Sequence, residues 1–312
     1  MKLNTPQQVL LLATATLGLN LYMAQAQTPN GTQLLQAMAQ AERTVQYSGT
    51  STVKRQGSRP ITMRVWHSGI KRRLEFLEPP IRRGDLLVDN GEEVWSYHRS
   101  ENTATRMRAT ALRGADAYGT GQIAGFDARV LDKENVAGRA AWIVAVSRHG
   151  QAHVASKFWI DAATKARLRM EHYNSAGALV VTAGLQTVKL GAIPATQFAW
   201  SPPPGAKVTQ TSGTLYNDLA QAHQAASWIQ YPRSLPAGYA FESAVVDPKG
   251  EAWLRYSNGL NRFSIFQQRV AENKITDLRQ VSGGWYWQRG GSRFLAVGVP
   301  AADATKVAAG VR

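Results

Sequence analysis

Three short motifs match the sequence patterns of known catalytic or ligand-binding elements, but none has the structural context that its chemistry requires. Ser68-Gly69-Ile70-Lys71 has the Ser-x-x-Lys spacing of some acyl enzymes, yet it falls between two predicted strands and not at a helix start. His149 and His153 have the spacing of a zinc-binding helix, but Gly150 lies between them and no glutamate does. Residues 119–124 spell a relaxed dinucleotide fingerprint without a preceding apolar strand. We therefore predict no catalytic residue, no metal site and no cofactor.

Residues 1–26 have the composition of a secretory signal peptide. Lys2 supplies the positive start, residues 9–23 are mostly apolar, and Ala24-Gln25-Ala26 places small residues where a signal peptidase recognises them. A membrane anchor is the alternative, but the apolar run is short of the roughly 20 residues that span a bilayer. We expect cleavage before Gln27 and an exported, soluble protein.

The chain of 312 residues is strongly basic, with 36 Lys and Arg against 21 Asp and Glu and a formal net charge of +15. Such a surface attracts anions, for example an acidic polypeptide, a phosphorylated glycolipid or an anionic membrane. The alternative is that the basic surface serves only solubility. Nucleic acid is not expected as a partner, because an exported protein rarely meets it. The absence of cysteine excludes disulfides and thiol chemistry.

A short helix followed by a long antiparallel meander is predicted for the first two hundred residues. Thr32 is the predicted helix cap. The apolar residues that share one helix face are Leu34, Leu35, Met38 and Ala41. The alternating segments that predict strands are Tyr47–Gln56, Ile61–His67, Lys71–Leu77, Leu86–Asp89, Glu93–Arg99, Thr103–Arg108, Ala128–Leu131, Ala141–Ser147, Ala155–Ile160, Ala166–His172 and Leu179–Val188. Residues 109–125 interrupt the alternation and are predicted to cross the sheet as a loop or short helix.

A proline-rich stretch, Ser201–Gly205, is predicted to end this sheet, because proline has no amide hydrogen for a neighbouring strand. A helix over Leu215–Ile229, capped by Asn217, is predicted next. The strands predicted after it are Tyr239–Val246, Glu251–Ser257, Asn261–Arg269, Thr276–Val281, Gly284–Arg289 and Ser292–Gly298, with a closing helix from Pro300. The predicted division is a large domain at 27–205, a linker and helix at 206–232 and a small C-terminal domain at 233–312.

Large aromatic residues recur in the meander strands, and one helix with one crossing segment gives thin cover for so many strands. We predict that the sheet curls into a half-barrel with an apolar hollow that accepts acyl chains or apolar side chains. A filled core is the alternative. The residues predicted to line the hollow are Trp66, Phe76, Trp95, Tyr97, Trp142, Phe158 and Trp159.

Basic residues in the same strands would place cations beside that hollow. They are Arg72, Arg73, Arg82, Arg83, Arg106 and Arg108. This combination predicts a site for an amphiphile with an anionic head group. A solvated charged face is the alternative.

Several stretches of the sequence occur together in an order that is typical of one protein family. KRRLEFLEPPIRRGDLLVDNGEEVWSYHRSENTATRM (Lys71–Met107) and KFWIDAATKARLRMEHYNSAGALVVTAGLQTV (Lys157–Val188) resemble the periplasmic lipoprotein-carrier fold of the LolA/LolB type. Tyr231-Pro232, the sequence LPAGY at 235–239 and the YSNGL at 256–260 follow them. In this order the parts resemble the MucB/RseB family of periplasmic regulators of envelope-stress sigma factors.

The resemblance implies an α+β fold with a curved antiparallel half-barrel sheet, a covering helix and a smaller mixed α/β C-terminal domain. It also implies a protein that is not an enzyme. Such a protein binds the periplasmic part of a membrane anti-sigma factor, shields it from proteolysis, and senses lipopolysaccharide or lipoprotein acyl chains in the large-domain hollow. A lipoprotein or lipid carrier is the alternative function, and a homo-oligomer is compatible with either.

The resemblance further implies that the small domain supplies much of the partner contact. The aromatic hairpin WLRYSNGLNRFSIFQQR (Trp253–Arg269), with its tight turn at Ser257-Asn258-Gly259, contains the residue types that anchor protein interfaces. The predicted partner-binding residues are Trp253, Arg255, Tyr256, Arg262 and Phe263. Core packing is the alternative for Trp253, Tyr256 and Phe263.

Overall fold

A computed structural model of the chain describes residues 29–109, 125–174, 176–210, 213–236, 238–258, 262–281, 284–299 and 301–312. The predicted signal peptide and most of the predicted crossing segment lie outside these ranges. The helices are α1 (Gly31–Thr44), α2 (Leu219–Ala225) and α3 (Ala301–Gly310) within the described ranges. None of the helices described there has both the length and the apolar character to cross a membrane.

The larger of two sheets has twelve strands. They are β1 (Gln46–Arg55), β2 (Ile61–Ser68), β3 (Lys71–Glu78), β4 (Leu86–Asp89), β5 (Glu93–His98), β6 (Thr103–Arg108), β7 (Phe126–Val136), β8 (Arg139–Arg148), β9 (Val154–Asp161), β10 (Arg167–Tyr173), β11 (Leu179–Leu190) and β12 (Lys207–Gln210). Their spatial order is β12-β6-β5-β4-β3-β2-β1-β11-β10-β9-β8-β7. Only the pair of β12 and β6 is parallel in the described sheet. The predicted α+β class and the curved, open antiparallel sheet are confirmed.

The smaller sheet has seven strands in the order β13-β14-β15-β16-β19-β18-β17. They are β13 (Thr214–Tyr216), β14 (Ala240–Asp247), β15 (Glu251–Ser257), β16 (Arg262–Arg269), β17 (Thr276–Val281), β18 (Gly284–Arg289) and β19 (Ser292–Val297). One face of this sheet packs on α2 and α3. Leu254 and Ile265 from the sheet and Val307 from α3 are all buried in that core.

The cap of helix α1 lies two residues before the predicted one. The side chain of Asn30, not Thr32, accepts a hydrogen bond from the amide of Gln33 at 3.1 Å. Gly31 then lets the first turn approach β7 closely, since a Cβ there would stand 2.7 Å from the carbonyl oxygen of Ala128. The predicted apolar face is confirmed: Leu34 and its companions are buried or pack on the cluster beneath the helix.

The predicted boundary after Gly205 is wrong, because the proline-rich stretch does not end the larger sheet. Strand β12 follows the prolines and pairs with β6. The predicted linker at 206–232 therefore gives one strand to each sheet. Leu215 and Tyr216 pair with β14 instead of starting a helix, and α2 is short, with Asp218 as its cap in place of Asn217.

The turn between β9 and β10 is organised by one buried carboxylate. Asp161 is 1% exposed and accepts hydrogen bonds from the amide of Thr164 at 2.7 Å and from its hydroxyl at 2.8 Å. Arg139 Nη2 donates to the same carboxylate at 3.0 Å. Burial alone would raise the pKa of Asp161, but the hydrogen bonds from Arg139 and Thr164 outweigh it and hold the pKa below its ordinary value.

Replacing this carboxylate tests its role in the turn. For Asp161→Asn we expect the free energy of unfolding to fall by about 2 kcal/mol, because the amide loses the charge and half the acceptor capacity that these donors need. Urea denaturation at neutral pH measures the difference. The matched control is Asp132→Asn in exposed β7, and equal stability losses in both variants would contradict the assignment.

Candidate binding site

Strand pairing assigns each side chain of the larger sheet to one of two faces. Directly paired residues project from the same face, and neighbours along a strand project from opposite faces. One continuous row runs Phe158, Met170, Ala183, Val53 and Ile61 across five strands. Phe158 packs beneath α1, so we call this the helix-covered face.

The second row shows the opposite face. It runs Trp159, Arg169, Gly184, Thr52 and Thr62 across the same strands. Trp66 follows Thr62 by four residues in β2, so the two side chains project from the same face. We call it the crossing-segment face, because the segment at 191–206 leads across it from β11 to β12 at the far end of the sheet. This segment is not the predicted crossing segment at 109–125.

The prediction of one hollow lined by seven aromatic residues is wrong, because those residues divide between the two faces. Consecutive residues such as Phe158 and Trp159 cannot line the same surface of a strand. The residues on the helix-covered face are Phe76, Trp142 and Phe158. The residues on the crossing-segment face are Trp66, Trp95, Tyr97 and Trp159.

The aromatic residues on the crossing-segment face pack against other parts of the chain. The ring of Trp200, in the crossing segment, lies 5.5 Å from Trp95 and 5.4 Å from Tyr97. Phe198 in the same segment is 2% exposed. Trp159 donates its indole N–H to Glu134 at 2.6 Å and lies under the guanidinium of Arg169. The filled-core alternative holds for this face.

Half of the helix-covered face is also filled. Leu34 and Leu35 of α1 pack with Val144, Val146 and Phe158 in one buried cluster. Trp142 lies at the margin of that cluster, where Lys133 Nζ is 4.0 Å from its ring centroid. Helix α1 therefore covers this face from β7 to β10.

A further set of apolar side chains lies on the helix-covered face over β2, β3 and β4. Val65, Leu74 and Leu87 pair directly across the three strands, and Met63 pairs with Phe76. We call these five residues the β2–β4 row. Met63 and Val65 are buried, whereas the other three are partly exposed. Sequence reasoning found only Phe76, although the alternation within each strand could have identified the other four.

The cations predicted to bind a head group are largely paired with carboxylates of the same sheet. Arg73 lies 2.8 Å from Glu75, Arg82 lies 3.1 Å from Asp85, and Arg83 lies 2.6 Å from Glu78. Arg106 pairs with Glu93, which is also the cross-strand neighbour of exposed Arg108.

Three of these arginines lie beside aromatic rings: Arg82 on the helix-covered face, and Arg73 and Arg106 on the crossing-segment face. The guanidinium carbon of Arg82 is 3.8 Å from the ring centroid of Phe76, at the edge of the β2–β4 row. Arg106 lies over Trp95 on the crossing-segment face. Most of the cations predicted beside the hollow are therefore held in ion pairs, and Arg82 is the one that lies closest to the partly exposed β2–β4 row.

A buried polar cluster ties the end of α1 to the sheet. Glu42 of α1 lies 3.8 Å from Arg72 and 3.6 Å from Arg167, and its carbonyl oxygen is 3.0 Å from His67 Nε2. His67 is fully buried and stacks on Tyr47. Burial lowers the pKa of His67, and the Glu42 carboxylate opposes that shift only partly. Arg72 is thus a structural partner of α1.

The C-terminal hairpin divides between core and surface. Tyr256 and Phe263 are each 1% exposed and stack at 4.8 Å inside the core of the smaller sheet. Arg255 is also buried, and its Nε donates to Ser243 Oγ at 2.8 Å. These three residues cannot form the predicted partner-binding surface without unfolding, so that part of the prediction is wrong.

The other two predicted partner-binding residues, Arg262 and Trp253, are not fully buried. Arg262 is exposed and pairs with Glu242 at 2.7 Å. Trp253 stacks on Phe266 at 5.4 Å, and Phe266 is 39% exposed. The directly paired residues on this face, which we call the outer row, are Val245, Trp253, Phe266, Leu295 and Tyr286. The sequence analysis did not identify Phe266, Leu295 and Tyr286. Alternate residues of their strands face the core, so these three side chains project from the opposite, outer face.

The fold is that of a two-sheet α+β protein, whose larger sheet is curved and partly covered on each face. Among the residues that the structure describes, no group of His, Asp and Glu side chains is placed to hold a metal. The chain belongs to the MucB/RseB family, because the family model of the MucB/RseB N-terminal domain matches residues 30–203.

Relatives of known structure extend the likeness over both sheets. The chain is 25% identical over 300 residues to the sigma factor AlgU regulatory protein MucB of Pseudomonas aeruginosa, covering 92% of each protein. A crystal structure of MucB matches with a TM-score of 0.61 and 21% identity, over 90% of this chain and 97% of MucB. MucB in complex with MucA(peri) matches with a TM-score of 0.60 and 21% identity, over 91% and 98%.

His172, on the helix-covered face, makes stability depend on pH. Its Nδ1 lies 2.8 Å from Ser156 Oγ, and burial, reinforced by the charge of Arg167, lowers its pKa from 6.5 to about 4. Between these two pKa values the unfolded chain binds a proton at this histidine and the folded chain does not. The contribution of His172 to folding stability is therefore complete above pH 6.5 and is lost as pH falls toward 4. We expect a loss on the order of 3 kcal/mol from this residue.

Thermal or urea unfolding between pH 7 and pH 4 measures this loss. His172→Gln should lose less stability on acidification than the parent protein, whereas the control His153→Gln, on an exposed loop, should follow the parent. Parallel pH profiles for all three proteins would refute the role of His172.

Proposed function

We propose that this protein is a periplasmic regulator that binds the periplasmic segment of a membrane anti-sigma factor and shields it from proteolysis. The observation that carries the proposal is the likeness to MucB over 92% of each chain, since MucB is a regulatory protein of the sigma factor AlgU. MucB has also been crystallised in complex with MucA(peri). A lipid carrier would need only the larger sheet, so the presence of the second sheet favours a regulator.

The outer row of the smaller sheet is the proposed contact surface for that segment. Trp253 and Phe266 present a stacked pair of rings, of which Phe266 is 39% exposed. Tyr286 and Leu295 continue the apolar strip on the neighbouring strands. Aromatic residues that become buried at the centre of an interface contribute most of its binding energy.

A charge placed on this strip should prevent binding. For Phe266→Glu we expect affinity for the periplasmic segment of the anti-sigma factor from the same genome to fall at least about tenfold, because a carboxylate would be buried without a partner. Titration calorimetry with the purified segment measures the affinity.

Ile275→Glu is the matched control, because Ile275 is 75% exposed in the same domain and receives the same charge. It should bind like the parent protein. If Phe266→Glu also binds like the parent protein, the outer row is not the contact surface. If the parent protein itself does not bind the segment, the regulator function fails.

We further propose that the β2–β4 row binds the acyl chains of lipopolysaccharide or mislocalised lipoproteins. Leu74, Phe76 and Leu87 are partly exposed apolar side chains on one face of the sheet, next to a region that α1 already fills. Arg82 lies over Phe76 and pairs with Asp85 through its Nε, and we propose that its other N–H groups contact an anionic head group. This pairing of apolar surface and cation suits an amphiphile.

Shortening the exposed ring tests this surface. For Phe76→Ala we expect a fluorescent long-chain fatty acid to bind about tenfold more weakly, because the variant loses most of the apolar area that the row offers to a chain. The control Ile81→Ala removes an 80% exposed side chain from the adjoining turn and should leave binding unchanged. Equal binding by the parent protein and Phe76→Ala would exclude the row.

A lipoprotein or lipid carrier remains the second candidate function, and the same apolar row favours it. The two functions differ in what the smaller sheet does. Transfer of a fluorescent lipid between vesicles at rates that outer-row substitutions do not change, together with no binding of the anti-sigma segment, would establish the carrier.

A further inference from the structure

A cleft of about 450 Å³ lies in the smaller-sheet unit, on the side away from the outer row's central rings. The segment after α2, the end of β16, the turn between β18 and β19, and the last residue of the chain surround it. The residues that line the cleft include Trp228, Gln230, Arg233, Arg269, Gly290 and Arg312. Neither the outer row nor the β2–β4 row contributes to this cleft.

The lining carries an excess of positive charge. Arg233, Arg269 and Arg312 line the cleft and are exposed, and no Asp or Glu side chain lines it. If Arg312 also carries a terminal carboxylate, the net charge of the lining is still positive. Neither Arg233 nor Arg269 forms an ion pair with a carboxylate in the described part of the chain.

Aromatic rings hold two of these guanidinium groups in place. Arg269 lies 5.9 Å from the centroid of Trp228, and Arg233 lies 4.3 Å from that of Tyr231. Stacking on a ring leaves the N–H edge of a guanidinium available for hydrogen bonds. The N–H fork of arginine matches the two oxygens of a carboxylate or phosphate group.

The wall of the cleft is fixed by hydrogen bonds from a buried side chain. Gln267, which is 2% exposed, donates to the carbonyl of Trp228 at 3.2 Å and to Ser292 Oγ at 2.9 Å. Its Oε1 accepts from the amide of Gln230 at 3.0 Å. These bonds hold the segment after α2 against β16 and β19. Arg233 projects from that segment and Arg269 from the end of β16, so the bonds fix the backbone near both arginines.

The neighbouring turn keeps the cleft open. Gly290 has no side chain, and a Cβ there would stand 2.7 Å from Gln230 Nε2. Gln230 Oε1 is covered and accepts no hydrogen bond from the described residues. An N–H or O–H group that arrives with a ligand would satisfy this oxygen after a small rotation of the amide.

We propose that this cleft is a binding site for an oxyanion-bearing ligand, whose carboxylate or phosphate group pairs with Arg233 and Arg269. Two sources have that chemistry: the acidic side chains of a peptide and a free small anion. The site follows from the geometry of the cleft alone, and its failure would leave the proposed regulatory function standing.

Titration calorimetry of the whole mature chain at low ionic strength tests the site with separate probes. They are a short glutamate-rich peptide, its twin with glutamine in place of every glutamate, citrate and inorganic phosphate. We expect the glutamate peptide or one of the small anions to bind, and the glutamine twin to bind at least about tenfold more weakly than the glutamate peptide. Tighter binding of the peptide identifies an acidic protein segment as the ligand, and tighter binding of citrate or phosphate identifies a free anion.

Two double variants with equal change of charge separate a built site from general attraction. Arg233→Gln with Arg269→Gln should weaken binding of the tightest probe at least about tenfold. Arg279→Gln with Arg293→Gln, both exposed and outside the cleft, should leave it unchanged. Thermal unfolding confirms that both variants fold, as expected for exposed positions. Absence of binding by every probe, or equal weakening in both double variants, would overturn the proposal.

Discussion

The larger sheet has apolar side chains on both faces, and each face needs cover from elsewhere in the chain. Helix α1 covers β7 to β10 on one face, where Leu34 and Leu35 meet Phe158. On the other face, Trp200 in the segment between β11 and β12 packs on Trp95 and Tyr97. Burial of this apolar area is the main favourable term in folding such a sheet. Helix α1 leaves the β2–β4 row on the same face uncovered, and this row is the surface that we propose for an acyl chain.

Charge in this protein acts mainly between neighbouring strands. Arg64 of β2 and Arg73 of β3 lie close to Glu75, and Arg106 of β6 pairs with Glu93 of β5. In the cleft of the smaller-sheet unit, by contrast, Arg233 and Arg269 form no ion pair with a carboxylate among the described residues.

Much of the secondary structure follows from the sequence, because turn residues set strand ends. Strands β4, β6, β15, β17 and β18 have the bounds that alternation and turn chemistry predict. At the turn before β5, Asn90 accepts hydrogen bonds from the amides of Glu92 and Glu93. Helix α2 was harder to place, because the strand pairing of Leu215 and Tyr216 depends on a partner strand that is distant in sequence.

The binding surfaces were less predictable than the strands. Composition shows that aromatic residues and arginines are abundant, but only the pairing between distant strands shows which ones share a face. Irregularities such as the register shift between Arg167 and Arg169 change the alternation, and no sequence motif marks them. Arg255 is a related case: its charge suggests exposure, yet Ser243 on the next strand and the ring of Trp253 allow it to be buried.

The central claim is that this protein holds a protein partner and does not only carry lipid. Crosslinking of the protein in the native envelope, followed by identification of the captured species, tests it most directly. The account predicts that an inner-membrane anti-sigma factor is captured through its periplasmic segment. Capture of lipoproteins or lipids alone, with no such factor in the crosslinked material, would contradict it.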